Sequence, residues 1–294
     1  MLSMKQDRVR NGRDAQEHSR GGHVKLDLIL KLWPLGRGLN RLGTWPLLGR
    51  LLRPCFDGQG NGAIILPVHE AVRGTESVIL PYPLLGRLLA QASHRFLLDH
   101  CLCRQGEGCQ DYPRELGCIF LGDGATEIAP ALGQAIDADQ ALAHARRAMD
   151  AGLMPTVVHS SFDAWLLDIP YRRALALCFC CDCCCSVRQG LRLGPAAFWD
   201  TVVRLPGLAV RAGPLCNGCG LCLDLCPVGA IALHDGRAVI GGTCKGCGRC
   251  AAACPSGAIE LHLAEEEEVW TRLVAQIAGR TDVGIGRPAD NPQT

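Results

Sequence analysis

Eight of the 19 cysteines in this 294-residue chain lie in two copies of one pattern: three cysteines separated by pairs of residues, then a fourth followed by proline. The copies read CNGCGLCLDLCPVGAIALH and CKGCGRCAAACPSGAIELH, offset by 28 residues, and such self-similarity indicates a duplicated unit. Gly218 and Gly220, with their counterparts Gly246 and Gly248, allow tight turns that aim N–H groups at sulfur. Three thiolates on one such loop can hold three corners of an iron–sulfur cube, and a fourth ligand must come from elsewhere.

The two motifs resemble those of bacterial-type ferredoxins with two 4Fe-4S clusters, over about residues 213–264. The resemblance implies a pseudo-twofold pair of βαβ-like units that pass single electrons and perform no chemistry on a substrate. It also implies that the cysteine before each proline ligates the cluster of the other half. Cluster I then takes Cys216, Cys219, Cys222 and Cys254. Cluster II takes Cys244, Cys247, Cys250 and Cys226. Two zinc knots are the alternative, since CxxC pairs also suit zinc, but the tandem triplet-plus-CysPro form disfavours them.

Ten further cysteines precede these motifs in two dense groups, and only Cys55 lies outside them. Thiolates packed this closely repel one another, and a multivalent iron cluster removes that repulsion. The groups therefore predict one or two additional iron–sulfur clusters. A zinc site and a thiol–disulfide relay stay open as alternatives, and the spacing does not select ligands among the ten. They are Cys101, Cys103, Cys109, Cys118, Cys178, Cys180, Cys181, Cys183, Cys184 and Cys185.

The order of these elements is similar to that in a group of prokaryotic 4Fe-4S dicluster-domain proteins. The shared features are a CxCR element, later cysteines, a helix ending in an AGL turn, and a CxCCxCCC run. This chain has Ser186 where that group often has glycine. Arg104, beside Cys103, either pairs with cluster charge or faces solvent. His100 adjoins Cys101 and is therefore the histidine to test as a ligand, whereas the other histidines are scattered.

The elements that must position these cysteines are mixed, which predicts an α+β fold: a cysteine-rich N-terminal domain followed by a ferredoxin-type two-cluster domain. We expect strands at residues 63–66, 78–80, 156–159 and 174–177, the last leading into the second cysteine group. Leucines at helical spacing predict a helix from Pro83 towards Ser93. Asp137 and Gln140 have the spacing of a capping box, and acidic residues 265–268 suit the start of a helix reaching Ala278. The expected segments are a flexible leader (1–22), the cysteine-rich domain (23–210), the two-cluster domain (211–264), and a helix and tail (265–294).

Composition limits the location and the partners. The net charge of +1 gives no reason to expect a nucleic-acid partner. No window has the roughly 18 apolar residues that a membrane span needs, and the polar N-terminal residues lack an export signal. Free thiols then indicate the cytoplasm. Residues 24–56 interleave apolar and basic side chains, so they either dock on lipid or an acidic partner, allowing peripheral membrane contact, or form helices packed on the domain.

Two functions follow from these patterns. The first is an iron–sulfur electron-transfer protein, or the electron-transfer subunit of a redox complex, that exchanges single electrons with redox protein partners. The second is an oxidoreductase whose N-terminal cysteines form a catalytic metal site fed by the ferredoxin clusters. The chain has neither a P-loop nor a GxGxxG fingerprint, and it lacks the CxxCH of covalent haem. The lack of such motifs favours a carrier or redox subunit over a stand-alone enzyme.

Overall fold

A computed structural model describes residues 25–35, 61–65, 81–194 and 196–286. Helices and strands mix in them, which confirms the α+β class. The strands of the largest sheet are β1 (Asn61–Ile65), β2 (Arg95–Leu98), β3 (Ile119–Leu121), β4 (Gly133–Ala135), β5 (Met154–Ser160), β6 (Leu175–Cys180) and β7 (Val202–Arg204). They are ordered β4-β2-β3-β6-β5-β1-β7, antiparallel except for the pair of β1 and β7.

The centre of this sheet brings the two cysteine groups together. Strands β5 and β6 are buried along most of their length, as expected for central strands, and β6 itself ends at Cys180. Ile119 of β3 pairs with Leu177 of β6, so Cys118 and Cys178 stand next to each other at the end of this ladder. Strand pairing therefore joins two segments that are some 60 residues apart in the chain.

Helices connect the strands of this sheet and pack against it. They are α1 (25–32), α2 (Pro81–Gln91), α3 (Leu102–Gly106), α4 (Ala138–Asp150), α5 (Ser161–Leu167), α6 (Ser186–Leu193) and α7 (Ala196–Trp199). The predicted helix after Pro83 is confirmed as α2, whose four leucines at positions 84, 85, 88 and 89 are fully buried. The capping box is confirmed at α4, where the Gln140 amide donates to Asp137 Oδ1 over 2.7 Å and the Asp137 amide donates to Gln140 Oε1 over 3.0 Å.

The two-cluster region repeats one β-α-β unit. The first copy is β8 (Leu208–Ala212), α8 (Leu221–Leu225) and β9 (Ile231–His234). The second is β10 (Arg237–Ile240), α9 (Arg249–Ala252) and β11 (Ile259–Leu263). Strand β8 pairs with β11 and β9 with β10, both antiparallel. The pairs Ala212↔Ile259 and Ile240↔Ile231 map onto each other at the 28-residue offset, so the duplication extends to strand register.

The remaining described segments pack on the cysteine-rich region. In the segment 25–35, Leu26 is buried and the Trp33 ring lies 5.9 Å from that of Phe162 in α5, as the packing interpretation expects. The predicted C-terminal helix is confirmed as α10 (Glu266–Ala278), and its Glu267 pairs with Arg87 of α2 at 2.7 Å. No helix in the described ranges is both long and apolar enough to cross a bilayer. The predicted leader, the strand at 78–80 and residues 36–56 lie outside the described residues.

Candidate metal centres

The eight motif cysteines line two cavities, four to each. One cavity is lined by Cys216, Cys219, Cys222 and Cys254, together with Asn217, Leu221, Leu233 and Ala238. The other is lined by Cys244, Cys247, Cys250 and Cys226, together with Val210, Val228 and Arg249. Each cavity thus receives three thiols from one motif and the cysteine before proline from the other. Four thiols around a mainly apolar space are a donor set that fits a 4Fe-4S cube. Ligation by these particular residues stays a prediction.

Backbone N–H groups point in a repeated way at the sulfurs of the two cysteines that precede proline. The Ala230 amide donates to Cys226 Sγ over 3.1 Å, and the Ala258 amide donates to Cys254 Sγ over 3.3 Å, 28 residues later. Gly218 and Gly246 both adopt a φ of +68°, in the left-handed region that favours glycine. Hydrogen bonds of this kind stabilise charge on sulfur and so raise the reduction potential of a bound cluster.

The two cavities differ in their surroundings. Around the first, Cys219 is exposed, and the apolar side chains of Leu221 and Leu233 are 56% and 43% exposed. In the second half, the equivalent cysteine, Cys247, is only partly exposed, and Leu261, the counterpart of Leu233 at the 28-residue offset, is buried. The first cavity therefore meets solvent, whereas the second faces the rest of the protein.

Six of the N-terminal cysteines form one continuous series of contacts, which we call the six-thiol group. Cys118 contacts Cys101 and Cys178. Cys103 contacts Cys101 and Cys185, and Cys185 in turn contacts Cys180. The members are Cys101, Cys103, Cys118, Cys178, Cys180 and Cys185. Four segments place them: β6, the residue before β3, and the N-terminal ends of α3 and α6.

The other four form a tighter cluster, the four-thiol group. Its members are Cys109, Cys181, Cys183 and Cys184, and their sulfur atoms all lie within 4.8 Å of one another. Cys183 Sγ is 3.6 Å from Cys109 Sγ and 3.4 Å from Cys184 Sγ. Burial and the neighbouring thiols of Cys109 and Cys181 raise the pKa of Cys184 to about 12. A bound metal ion removes this penalty, because a coordinating thiol is deprotonated outright.

Arg104 lies between the two groups with none of its surface exposed. Its guanidinium donates to the Phe179 carbonyl over 2.7 Å and to the Leu116 carbonyl. Burial by itself lowers the pKa of Arg104, but Cys101 and Cys118 of one group and Cys181 of the other raise it overall. Of the two interpretations of Arg104, the solvent-facing one is therefore wrong, and pairing with cluster charge stays a prediction.

A second buried arginine connects the cysteine run to the two-cluster region. Arg188 of α6 is buried and pairs with Asp182, which pairs in turn with Arg249 of α9. The charge of Arg188 acts on Cys180 of the six-thiol group and on Cys247 of the second cavity. Arg188 and Asp182 are not among the residues predicted from the sequence. The sequence feature that could have pointed to this connection is Asp182, because it is the one residue other than cysteine between positions 180 and 185.

An open polar cavity of about 660 Å³ adjoins the four-thiol group at Cys109. Its lining includes His100, Tyr112, Arg114 and Glu115. His100, the histidine singled out as a candidate ligand, therefore faces this cavity. Solvent and small polar molecules can reach the vicinity of Cys109 from this side.

Comparison with known proteins supports the two-cluster region alone. Residues 215–258 match the family model of the 4Fe-4S dicluster domain. No curated protein and no solved structure matches the chain. The match confirms an iron–sulfur domain of a type that carries two 4Fe-4S clusters. For the cysteine-rich region, the similarity to other dicluster-domain proteins stays a resemblance.

Proposed function

We propose that this chain, with its 4Fe-4S dicluster domain, transfers single electrons between a redox partner and a further metal centre in the cysteine-rich region. When bound, 4Fe-4S clusters accept and donate one electron at a time. The observation that carries the proposal is the order of the thiol sites. A solvent-facing site is followed by a less exposed one, which is linked through Asp182 and Arg188 to Cys180 of the six-thiol group.

The proposed ligands follow the crossed scheme. The set Cys216, Cys219, Cys222 and Cys254 holds cluster I, and the set Cys244, Cys247, Cys250 and Cys226 holds cluster II. The composition of the two cavities supports this division, as do the equivalent N–H donors at Ala230 and Ala258. The exposed apolar side chains around cluster I, including Leu221 and Leu233, suit the docking face for a redox protein.

A further iron–sulfur cluster is proposed for the six-thiol group. Its cysteines come from four separate segments and form a continuous series of thiol contacts, which offers more ligands than one cube needs. Arg104 provides buried positive charge beside Cys101 and Cys118, which offsets the negative charge of thiolates in a low-dielectric site. Eighteen free thiols in the described part of the chain favour a reducing compartment such as the cytoplasm.

The cavity beside Cys109 favours a second candidate function, an oxidoreductase with its catalytic metal at the N-terminal cysteines. A carrier needs no substrate pocket, whereas this cavity of about 660 Å³ is within the usual size range of a small-molecule site. In that case the electrons delivered by the two clusters reduce or oxidise a bound molecule. Titration of the reduced protein with candidate acceptors distinguishes the two functions, because only an enzyme turns over repeatedly.

The number of clusters tests the proposal. Anaerobically purified protein is expected to contain about twelve iron and twelve acid-labile sulfide per chain, for three cubes. About eight of each would refute the further cluster and leave the two-cluster domain intact. For the crossed ligands, Cys226→Ala should weaken the electron paramagnetic resonance (EPR) signal of cluster II, and the matched Cys254→Ala should weaken that of cluster I. The reverse pattern would contradict the crossed assignment.

A further inference from the structure

The ten N-terminal cysteines differ in spacing in a way that separates them into two kinds of site. We infer that the four-thiol group binds one divalent metal ion, Zn²⁺ or Fe²⁺, as a tetrahedral tetrathiolate centre distinct from the six-thiol group. The inference holds whether or not the six-thiol group carries a cluster. The site is separate from the proposed electron path, which connects the two-cluster region to the six-thiol group through Arg188 and Asp182 and uses none of these four thiols.

The sulfur–sulfur distances fit a single ion. A zinc–sulfur bond is about 2.3 Å, so two ligands of one tetrahedral ion stand roughly 3.8 Å apart. The observed separations are 3.6 Å for Cys109 and Cys183 and 3.4 Å for Cys183 and Cys184. Among the described residues, no other three thiols lie within 4.8 Å of one another. The motif cysteines of the two-cluster region, which enclose larger sites, are therefore more widely spaced than the four-thiol group.

The local backbone is also that of a single-ion site. Cys181 and Cys184 form a CxxC pair, the ligand spacing typical of structural zinc sites. The Cys184 amide donates to Cys181 Sγ over 3.4 Å, so the backbone of the turn holds the sulfur of its first cysteine in place. The Gln189 side chain donates to the Cys183 carbonyl and fixes the other end of the same turn. One short turn thus supplies three thiols, and Cys109 supplies the fourth.

Buried charge beside the group fits the same assignment. Four thiolates on one divalent ion carry a net charge of −2, which a buried site must compensate. The guanidinium of Arg104 contacts Cys181 and is fully buried. Its Nε atom has no hydrogen-bond partner in the described part of the chain. A donor without a partner in this position suits a metal-bound sulfur as acceptor.

Metal and sulfide analysis of matched variants tests the inference. Cys184→Ser is expected to lose one metal ion per chain with no loss of acid-labile sulfide. Loss of zinc identifies the ion as Zn²⁺, and loss of iron in excess of sulfide identifies it as Fe²⁺. The control, Cys178→Ser in the six-thiol group, should lose iron and sulfide in equal amounts and keep the single ion. If only Cys178→Ser departs from this expectation, the result counts against the further cluster and not against the single-ion site.

Two outcomes would overturn the inference. One is loss of about four iron together with about four sulfide from Cys184→Ser, which means that these thiols hold a cube. The other is no loss of metal at all. If Cys184→Ser lacks the EPR signals of the two-cluster domain, the variant has not folded. The metal and sulfide content of the wild-type protein is then the test. Wild-type protein without zinc, and with iron equal to sulfide, refutes the site, whereas zinc with four sulfur neighbours at about 2.3 Å by X-ray absorption supports it.

Discussion

Replacing Arg104 by methionine removes a buried charge from between the two N-terminal thiol groups. Methionine has a similar length and keeps most of the packing, but it cannot donate a hydrogen bond. The buried carbonyl group of Phe179 and the partly buried carbonyl group of Leu116 lose their charged donor. The sulfur atoms of Cys101, Cys118 and Cys181 lose the positive charge that lies beside all three.

The expected cost follows from these lost contacts. A hydrogen bond to a charged group contributes about 1.5–3 kcal/mol, so two such bonds amount to roughly 3–6 kcal/mol of the free energy of unfolding. The desolvation of the guanidinium is no longer required, which places the net loss near the lower half of that range, at about 3–4 kcal/mol. For a domain of this size, a loss of 1 kcal/mol lowers the melting temperature by about 2–4 °C, so Arg104→Met should melt roughly 6–16 °C lower.

The measurement is thermal unfolding of the metal-loaded protein under anaerobic conditions, together with its iron content. Arg192→Met is the control, because that arginine is exposed on α6 and its replacement should change stability by less than about 0.5 kcal/mol. Arg104→Lys should fall between wild type and Arg104→Met, since lysine keeps the charge but lacks the planar fork. If Arg104→Met melts with the control and retains full iron, Arg104 does not stabilise the thiol groups.

Two further predictions concern backbone and pH. Gly218→Ala should lower the free energy of unfolding by roughly 2–4 kcal/mol and weaken cluster I, because its Cβ would lie 2.3 Å from the Gly236 carbonyl oxygen and its φ is +68°. The control is Gly220→Ala, which has a φ of +80° but no atom within 4 Å of its Cβ. It should lower the free energy of unfolding by only about 1–2 kcal/mol. Equal losses in urea unfolding would contradict this steric argument. Burial lowers the pKa of His144, whose Nε2–H donates to the Gly117 carbonyl over 2.9 Å, so only the unfolded chain binds a proton near pH 6.5. The contribution of neutral His144 to stability is fully present above that pH and should be lost as the pH falls. His144→Gln should therefore show a smaller loss of stability on acidification. An unchanged pH dependence in the variant would rule out His144 as its source.

Much of the local structure followed from the sequence because its causes are local. The capping box at Asp137 and the four leucines after Pro83 act within one or two helical turns, and both helices form as predicted. The two copies of the CysPro motif can likewise be aligned from the sequence alone, since the same residues recur at a fixed offset. Strand bounds were less accurate. The strand expected at 174–177 continues to Cys180, because pairing with β5 extends it.

Other features depended on residues that are distant in the chain. Spacing alone left every subset of the ten N-terminal cysteines open, whereas pairing of β3 with β6 brings Cys118 to Cys178. Folding of the loop after α3 brings Cys109 to the turn at residues 181–184. The burial of Arg104 was equally hidden, since an arginine beside a cysteine run is exposed in most contexts.

The sequence by itself determined that the chain has an iron–sulfur domain with eight cysteines in two halves, because cluster binding needs a fixed spacing of ligands that is written directly in the motif. Only the tertiary structure decided that the remaining thiols form a six-thiol and a four-thiol group, with Arg104 between them and with Arg188 and Asp182 connecting one of them to the domain. The physical reason is that charge and metal geometry depend on distances between side chains. Those distances are set by strand pairing and packing between segments that are some 60 to 80 residues apart in the chain.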